Sequence, residues 1–386
     1  MKYFDANATT PLHPGAREAW LRAEDILWYN PASPTEVAAR VYHEVEKSRE
    51  FFAKLFGVSS RNVIFTSGAT EANNAITAYE AERNAEKWAI VSAVEHPSVL
   101  EPAKKYWKDR LEILPVNDAG VVDLAELEMR LRGGRIAFVS IMAANNETGV
   151  IQPVDSIAAL ARTHGARYHC DATQWIGKLP LEELCAVDYL VGCAHKFGGP
   201  KGVGFMIFNE PLVPHFHGQL GGGHENHHRA GTVNFSGIAA MQAALLARQG
   251  ELVDNDARLQ ARNAFEQTVL EKIPGAHVFG IASNRLWNTC SLALPRHANL
   301  RWLKRLEKHG FVVSTGSACA TADNKPSHVL SAMGVSDDTA RRTLRISSLW
   351  ETTPADWTAL ADALGEVARE LDDDAANDKS GVIVLP

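Results

Sequence analysis

Short, nearly continuous apolar runs alternate with longer helical patterns through the first two thirds of the chain. The runs predict strands at residues 62–66, 88–93, 111–116, 135–142, 167–170, 189–193 and 203–208. Several are apolar nearly throughout, as strands covered by helices on both faces must be. The intervening patterns predict helices at 71–84, 97–107, 123–132 and 156–164. Strand–helix alternation of this kind predicts an α/β fold with a mostly parallel, doubly wound sheet. Ligands in such a sheet bind at the loops that follow the C-terminal ends of the strands.

Beyond residue 208 the pattern changes. A Gly- and His-rich stretch at 215–231 interrupts it, and one long helical segment is predicted from about Gly237 to Ile273. Mixed strands and helices follow. The acidic end at 372–381 predicts a mobile tail, while the apolar 382–386 fits either a docked strand or a disordered end.

Composition narrows the class. With 386 residues, one large domain plus a smaller one is expected. A net charge of −7 gives no electrostatic reason to expect nucleic acid or an anionic membrane as partner. Cysteines stand at 170, 185, 193, 290 and 319, an odd number with no CxxC pair, which excludes a disulfide framework, a zinc ribbon and a thioredoxin-like couple. The N-terminus lacks the apolar core of a signal peptide, and no apolar run reaches membrane-spanning length. A cytoplasmic protein in a reducing compartment is the expectation.

Candidate chemistry falls at the strand ends. Lys196 directly follows a buried strand and precedes glycines, where a desolvated lysine has a lowered pKa and forms a Schiff base; a surface loop lysine would read alike. Asp171 ends another strand, and its carboxylate suits a pyridinium nitrogen, or merely the cap of the next helix. Gln174 is placed to donate to a phenolate oxygen. Ser67-Gly68-Ala69-Thr70-Glu71 is a small-residue turn at a helix start, where backbone N–H groups and the Thr70 hydroxyl suit a phosphate. His96 is able to stack on a ring and shuttle protons, though a lone histidine is more often structural. Cys319 lies among small residues in Ser-Thr-Gly-Ser-Ala-Cys-Ala-Thr-Ala, which predicts an exposed loop rather than a core position. The other four cysteines read as packing residues. His215, His217, His224, His227 and His228 have metal-ligand spacing but only Glu225 nearby as a carboxylate, so no metal site is expected.

Taken in order, these residues carry a resemblance. Asp5-Ala6-Asn7-Ala8-Thr9-Thr10-Pro11, Asn30-Pro31-Ala32-Ser33, Phe65 to Glu71, Asn145-Asn146-Glu147-Thr148-Gly149, Gly221-Gly222-Gly223-His224-Glu225, Arg229-Ala230-Gly231-Thr232 and Ser314 to Cys319 resemble the class V aminotransferase-like PLP enzymes, and among them the cysteine desulfurases of the iron–sulfur assembly type. The resemblance implies a PLP-dependent transferase of fold type I. Its mostly parallel seven-stranded sheet lies in a large domain at 14–252, and a smaller α+β domain at 1–13 plus 253–386 carries the cysteine loop. It implies pyridoxal 5′-phosphate (PLP) as cofactor, bound by Lys196, Asp171, Gln174, His96, Ala69, Thr70 and His195, with Thr232 reaching across a homodimer. Asn146 and Arg345 would grip the substrate carboxylate. Lys196, His96 and Cys319 would be catalytic, with L-cysteine yielding L-alanine and a Cys319 persulfide that passes to an acceptor protein such as a cluster scaffold.

Two departures stand out. Cys193 occupies a position where the family usually has serine, and a thiol is the poorer hydrogen-bond donor. After Arg345 the chain reads Ile346-Ser347-Ser348-Leu349-Trp350-Glu351 instead of the usual Ser-Leu-Gly-Arg, a change that bears on substrate identity and turnover. The alternatives are a selenocysteine lyase, β-lyase or aminotransferase on the same fold, or a low-turnover sulfur-relay protein.

Overall fold

The computed structural model describes residues 1–209, 216–316 and 326–380, the last four of these without their side chains. His215, Cys319 and the apolar end 382–386 lie outside the described residues.

After a short β1 (Lys2–Tyr3), seven strands form the central sheet: β2 (Val63–Thr66), β3 (Trp88–Ser92), β4 (Leu111–Leu114), β5 (Ile136–Ser140), β6 (Arg167–Asp171), β7 (Tyr189–Cys193) and β8 (Gly204–Phe208). They run in the order β2-β8-β7-β6-β5-β3-β4. Only β8 is antiparallel to its neighbours; the other pairings are parallel. The expected mostly parallel seven-stranded sheet is therefore present, and the predicted strands differ from it only at their ends. Every residue of β2, β5, β7 and β8 is buried, which is why these runs read as continuously apolar rather than alternating.

Two cores cover the sheet. Val63, Phe65 and Phe205 belong to one, with Val45 and Phe52 of α2 (Glu36–Phe56), which follows α1 (Pro14–Ile26). Ile64 and Met206 face the other, with Ile76 of α3 (Ala69–Arg83) and Trp107 of α4 (Pro97–Trp107). The helices α5 (Leu124–Leu131) and α6 (Val154–Thr163) complete the alternation.

The predicted long helix is broken. It is α7 (Phe235–Gly250), a 3-10 turn at Leu252–Asp254, and then α8 (Asn255–Lys272). The turn sends the chain away from the large sheet and into a third core. There α8 packs on an antiparallel sheet ordered β12-β10-β9, formed by β9 (His277–Val278), β10 (Thr289–Ala293) and β12 (Thr343–Ser347). The helices α9 (Asn299–Lys308) and α12 (Pro354–Ser380) pack on it, while α10 (His328–Ala332) and α11 (Asp337–Ala340) form a smaller cluster with Val94 and Phe279. Phe4 joins this core beside Phe265, Trp302 and Trp357, and β1 pairs with β11 (Phe311–Val312), so the start of the chain is bound to its C-terminal part.

The acidic end is also corrected. It continues α12 as helix to Ser380, because its carboxylates find basic partners: Asp372 pairs with Arg296 and His297, and Asp374 with Arg305. No described helix is long and apolar enough to cross a membrane.

Candidate active site

The C-terminal ends of β6 and β7 open on one cavity of about 540 Å³, facing the start of α3. Ala69, Thr70, His96, Asn146, Asp171, Gln174, His195, Lys196 and Arg345 all line it. The sequence spreads these residues from 69 to 345; the fold brings them together. Thr232 is exposed and does not line this cavity.

Lys196 closes the 3-10 turn Ala194–Lys196 that follows β7. Its Nζ donates to the backbone oxygens of Asn7 (2.6 Å) and Ala8 (2.8 Å). Burial pushes its ammonium below the ordinary lysine range, since an ion removed from water favours its neutral form. Asn7, which the sequence did not single out as a site residue, ties this wall together. Its backbone oxygen also accepts from Gln174 Nε2 (3.1 Å), and its Oδ1 accepts from Lys178 Nζ (3.2 Å). Lys178 is fully buried, donates to Gln174 Oε1 at 2.5 Å, and is depressed well below the usual lysine pKa by desolvation.

Asp171 is buried. Its Oδ2 accepts from Asn73 Nδ2 (2.8 Å) and its Oδ1 from the Thr173 N–H (2.9 Å), so among the described residues its hydrogen-bond partners are neutral donors. His96 caps α4, its Nδ1 accepting from the Ser98 N–H at 3.1 Å, and burial lowers its pKa. Its proton therefore resides on Nε2 in the neutral ring. His195 is driven down to about 4 by burial and by Lys196 and Lys201.

Gly68 gives the start of α3 no side-chain cap; the Ala69 N–H meets the Cys193 thiol, and both residues line the cavity. Gly68, at φ +153°, sets the turn. A side chain at Gly204 would place Cβ 2.7 Å from Gly68 Cα, so β8 must carry glycine for the helix start to come this close.

Arg345 enters from the other sheet, on β12. Its Nη2 pairs with Asp5 at 2.7 Å and its Nη1 donates to Gly316 O at 2.8 Å. Its buried Nε has no hydrogen-bond partner among the described residues. Glu147, also buried in this wall, accepts from Ser327 at 2.5 Å.

These residues fit PLP. An uncapped helix start suits the phosphate, a buried carboxylate with neutral partners suits a pyridinium, and a desolvated amine suits Schiff-base formation. Of the two departures, Cys193 does line the cavity, and burial raises its thiol to about 11. The stretch after Arg345 does not. Trp350 packs under Arg248, with the guanidinium carbon 4.1 Å from the ring centroid, and its Nε1 donates to Gly177 O. Glu351 pairs with the same Arg248. Trp350 and Glu351 consequently act on packing away from the cavity, whereas Ser347 reaches it through one residue, its Oγ accepting from the Asn7 N–H at 3.0 Å.

Other expectations are adjusted. Cys185, read as a packing residue, is exposed, because it sits in the short turn Glu182–Ala186 rather than in a strand or a core-facing helix. His217 and His228 use their Nδ1 atoms on the backbone oxygens of His227 and Phe216. Glu225 turns inward to form a buried ion pair with Arg49, and Arg229 pairs with Glu71 at the start of α3. A larger cleft of about 940 Å³ beside α8, walled in part by Trp175, Arg262, Glu266 and Arg285, contains none of the candidate residues.

Comparison with known proteins gives the family. Residues 2–360 match the family described as aminotransferase class-V. The chain is 37% identical over 378 residues to the cysteine desulfurase IscS of Dictyoglomus turgidum, covering 96% of this chain and 95% of that one. Among solved structures, a NifS-like protein superposes with a TM-score of 0.86 at 33% identity, covering 96% of this chain and 99% of that one. SspA, solved in complex with cysteine, gives 0.75 at 29% identity, covering 90% and 99%. Matched over nearly its whole length and holding a cavity that fits PLP, this chain belongs to the class V aminotransferases, a PLP-dependent family.

Proposed function

We propose that this protein is a PLP-dependent cysteine desulfurase that converts L-cysteine to L-alanine and holds the sulfur as a persulfide on Cys319. The observation that carries the reading is the meeting, in one cavity, of Lys196, a neutrally partnered Asp171, the uncapped start of α3 and the buried guanidinium of Arg345. Relatives named cysteine desulfurase and a structural neighbour solved with cysteine support it.

When bound, PLP supplies an electron sink that spreads carbanionic charge from the substrate. The residues around it have separate tasks. Ala69, Thr70 and His195 would hold the phosphate, Asp171 the ring nitrogen and Gln174 the phenolate oxygen, while His96 would cover the ring. Arg345 binds the substrate carboxylate by two parallel N–H donors, with Asn146 beside it. Lys196, released from the Asn7 and Ala8 carbonyls, moves the proton at the substrate α-carbon. Cys319, as thiolate, attacks the substrate sulfur; the Cβ–S bond breaks, the carbon is reduced to a methyl group, and the two sulfurs become a persulfide. A thiol and cysteine thus give alanine and a persulfide, with atoms and electrons balanced and no external oxidant.

A division into a large unit at 14–252 and a small unit at 1–13 plus 253–386 is supported by the core around Phe265, Trp302 and Trp357, in which Phe4 takes part, with Trp287, Trp350 and Val94 packing across the boundary. Thr232, exposed on the same loop as the exposed Leu220, would serve the cofactor phosphate of a second copy in a homodimer. A sulfur-acceptor protein in the cytoplasm, such as a cluster scaffold, would relieve Cys319.

The test is a visible spectrum of the purified protein followed by L-cysteine and an alanine assay. A cofactor band absent from Lys196→Ala, and alanine formation abolished in Cys319→Ala, are expected. A protein that binds PLP yet forms no alanine from cysteine would overturn the desulfurase and leave the family assignment standing.

A further inference from the structure

Asn73 lies on α3, one turn inside the helix start, and its side chain is fully buried. No property of the proposed reaction calls for it, yet it touches the surroundings of two cavity groups. Its Nδ2 donates to Asp171 Oδ2 at 2.8 Å and to Ser98 Oγ at 3.0 Å. Its Oδ1 meets His169 Nε2 at 3.1 Å. His169 Nδ1 meets Ser140 Oγ at 2.8 Å, and Ser98 Oγ meets His96 Nδ1 at 2.8 Å.

The direction of every bond in this chain follows from one group. Both carboxylate oxygens of Asp171 face N–H donors, so the amide must turn its NH₂ toward Asp171 and its oxygen toward His169. His169 then carries its proton on Nε2 and accepts the Ser140 hydroxyl proton on Nδ1. The second amide hydrogen occupies Ser98 Oγ, so the Ser98 hydroxyl points its own hydrogen at His96 Nδ1. That nitrogen already accepts from the Ser98 backbone, and both donors hold His96 in the Nε2–H form. Every donor and acceptor of the Asn73 amide is used once, with neutral groups surrounding a single charge. Such a network resists rotation of its members, because any flip opposes two acceptors or two donors in a dry interior.

We propose that Asn73 is the positioning residue shared by Asp171 and His96, one amide fixing two cofactor-facing groups that stand on different elements. The proposal rests on the reading of the cavity as a PLP site. Asp171 fixed in place keeps the ring nitrogen charged, and that charge opposes protonation at the Lys196 attachment. Asn73→Ala frees Asp171, so the pH midpoint of the bound cofactor's visible band should rise, by about one pH unit, and the PLP dissociation constant should rise about ten-fold, the usual size for one lost hydrogen bond to a charged group. Ser98→Ala cuts the branch to His96 and removes one acceptor of the Asn73 amide, but leaves the Asn73–Asp171 bond in place. It should leave PLP affinity and the band midpoint within about two-fold and a few tenths of a unit, while the acid limb of the kcat/KM profile moves to higher pH as His96 loses a donor that favours its neutral form.

The experiment is a PLP titration and a spectral pH titration of wild type and both variants, with thermal melting as the check on folding. A folded Asn73→Ala with unchanged affinity and band would overturn the proposal, as would equal band shifts in the two variants, which would mean that the effect spreads through packing. If Asn73→Ala does not fold, Asn73→Ser keeps a hydroxyl donor for one partner only and should shift the band in the same direction by less; no shift there would also overturn it. A wild-type protein that takes up no PLP would instead sink the cofactor reading itself.

Discussion

The lysine wall and the arginine wall of the cavity are built in different ways. Asp171 and Cys193 end adjacent strands of one sheet, Lys196 follows three residues later, and Asp171 is held by Asn73 of a helix packed on that same sheet. The arginine wall is assembled from distant pieces. Arg345 stands on a strand of the second sheet and is held by Asp5 from the chain start and by Gly316. The large sheet and the helices packed on it set most of the first wall, to which the chain start adds only the Asn7 and Ala8 carbonyls, whereas the arginine of the second wall comes wholly from the C-terminal sheet. Cofactor retention and substrate use should therefore respond to different mutations.

Arg345→Lys gives the largest separation. A lysine cannot reproduce the planar fork of donors, and the Asp5 carboxylate loses its close partner. Truncation of one member of a buried charge pair costs about 2–5 kcal/mol, so kcat/KM for L-cysteine should fall roughly 10²–10³-fold while the PLP dissociation constant stays within about two-fold. Steady-state kinetics beside a PLP titration would read both. Equal losses in the two would mean that the walls are not independent.

A smaller effect should belong to the lysine wall alone. Burial holds His169 neutral, with its pKa lowered to about 4 from 6.5. The unfolded chain then binds more protons than the native one between about pH 6.5 and 4, so stability falls as the pH drops through that window. His169→Gln removes this titration. Its urea-unfolding free energy should decline less steeply from pH 7 to 5 than that of wild type, by up to roughly 3 kcal/mol over the full window. Parallel slopes would show that His169 does not govern acid sensitivity.

The two walls were also unequally legible in the sequence. Strands buried on both faces announce themselves as apolar runs, and the residues just after them, Asp171 and Lys196, could be named from position and chemistry. Arg345 entered only through resemblance, because nothing local tells which arginine of a strand will meet a cavity formed by another core. Asn7, Asn73 and Lys178 were missed for the same reason: their importance lies in partners that are distant in sequence. For Asn73 a faint signal exists: it is a polar residue one turn into a helix whose first turn suits a phosphate. The break between α7 and α8 had a clue in Gly250, a poor helix former. The acidic end read as mobile because composition reveals charge but not the Arg296, His297 and Arg305 that wait for it.

Cys193 offers the smallest effect and the finest test of the comparison. It ends β7, lines the cavity beside the start of α3, and remains a neutral thiol with its pKa near 11. A thiol donates weakly, whereas a hydroxyl in the same place donates well and is slightly smaller. Cys193→Ser should therefore tighten PLP by a few-fold, in line with the roughly 0.5–1.5 kcal/mol of one added hydrogen bond, and leave the KM for L-cysteine unchanged because Arg345 and Asn146 lie on the other wall. Absorbance titration with PLP would measure the first quantity and initial rates the second. If the serine variant binds PLP no better, Cys193 contributes packing and not a phosphate contact; if KM moves as well, the cofactor wall and the substrate wall communicate through β7.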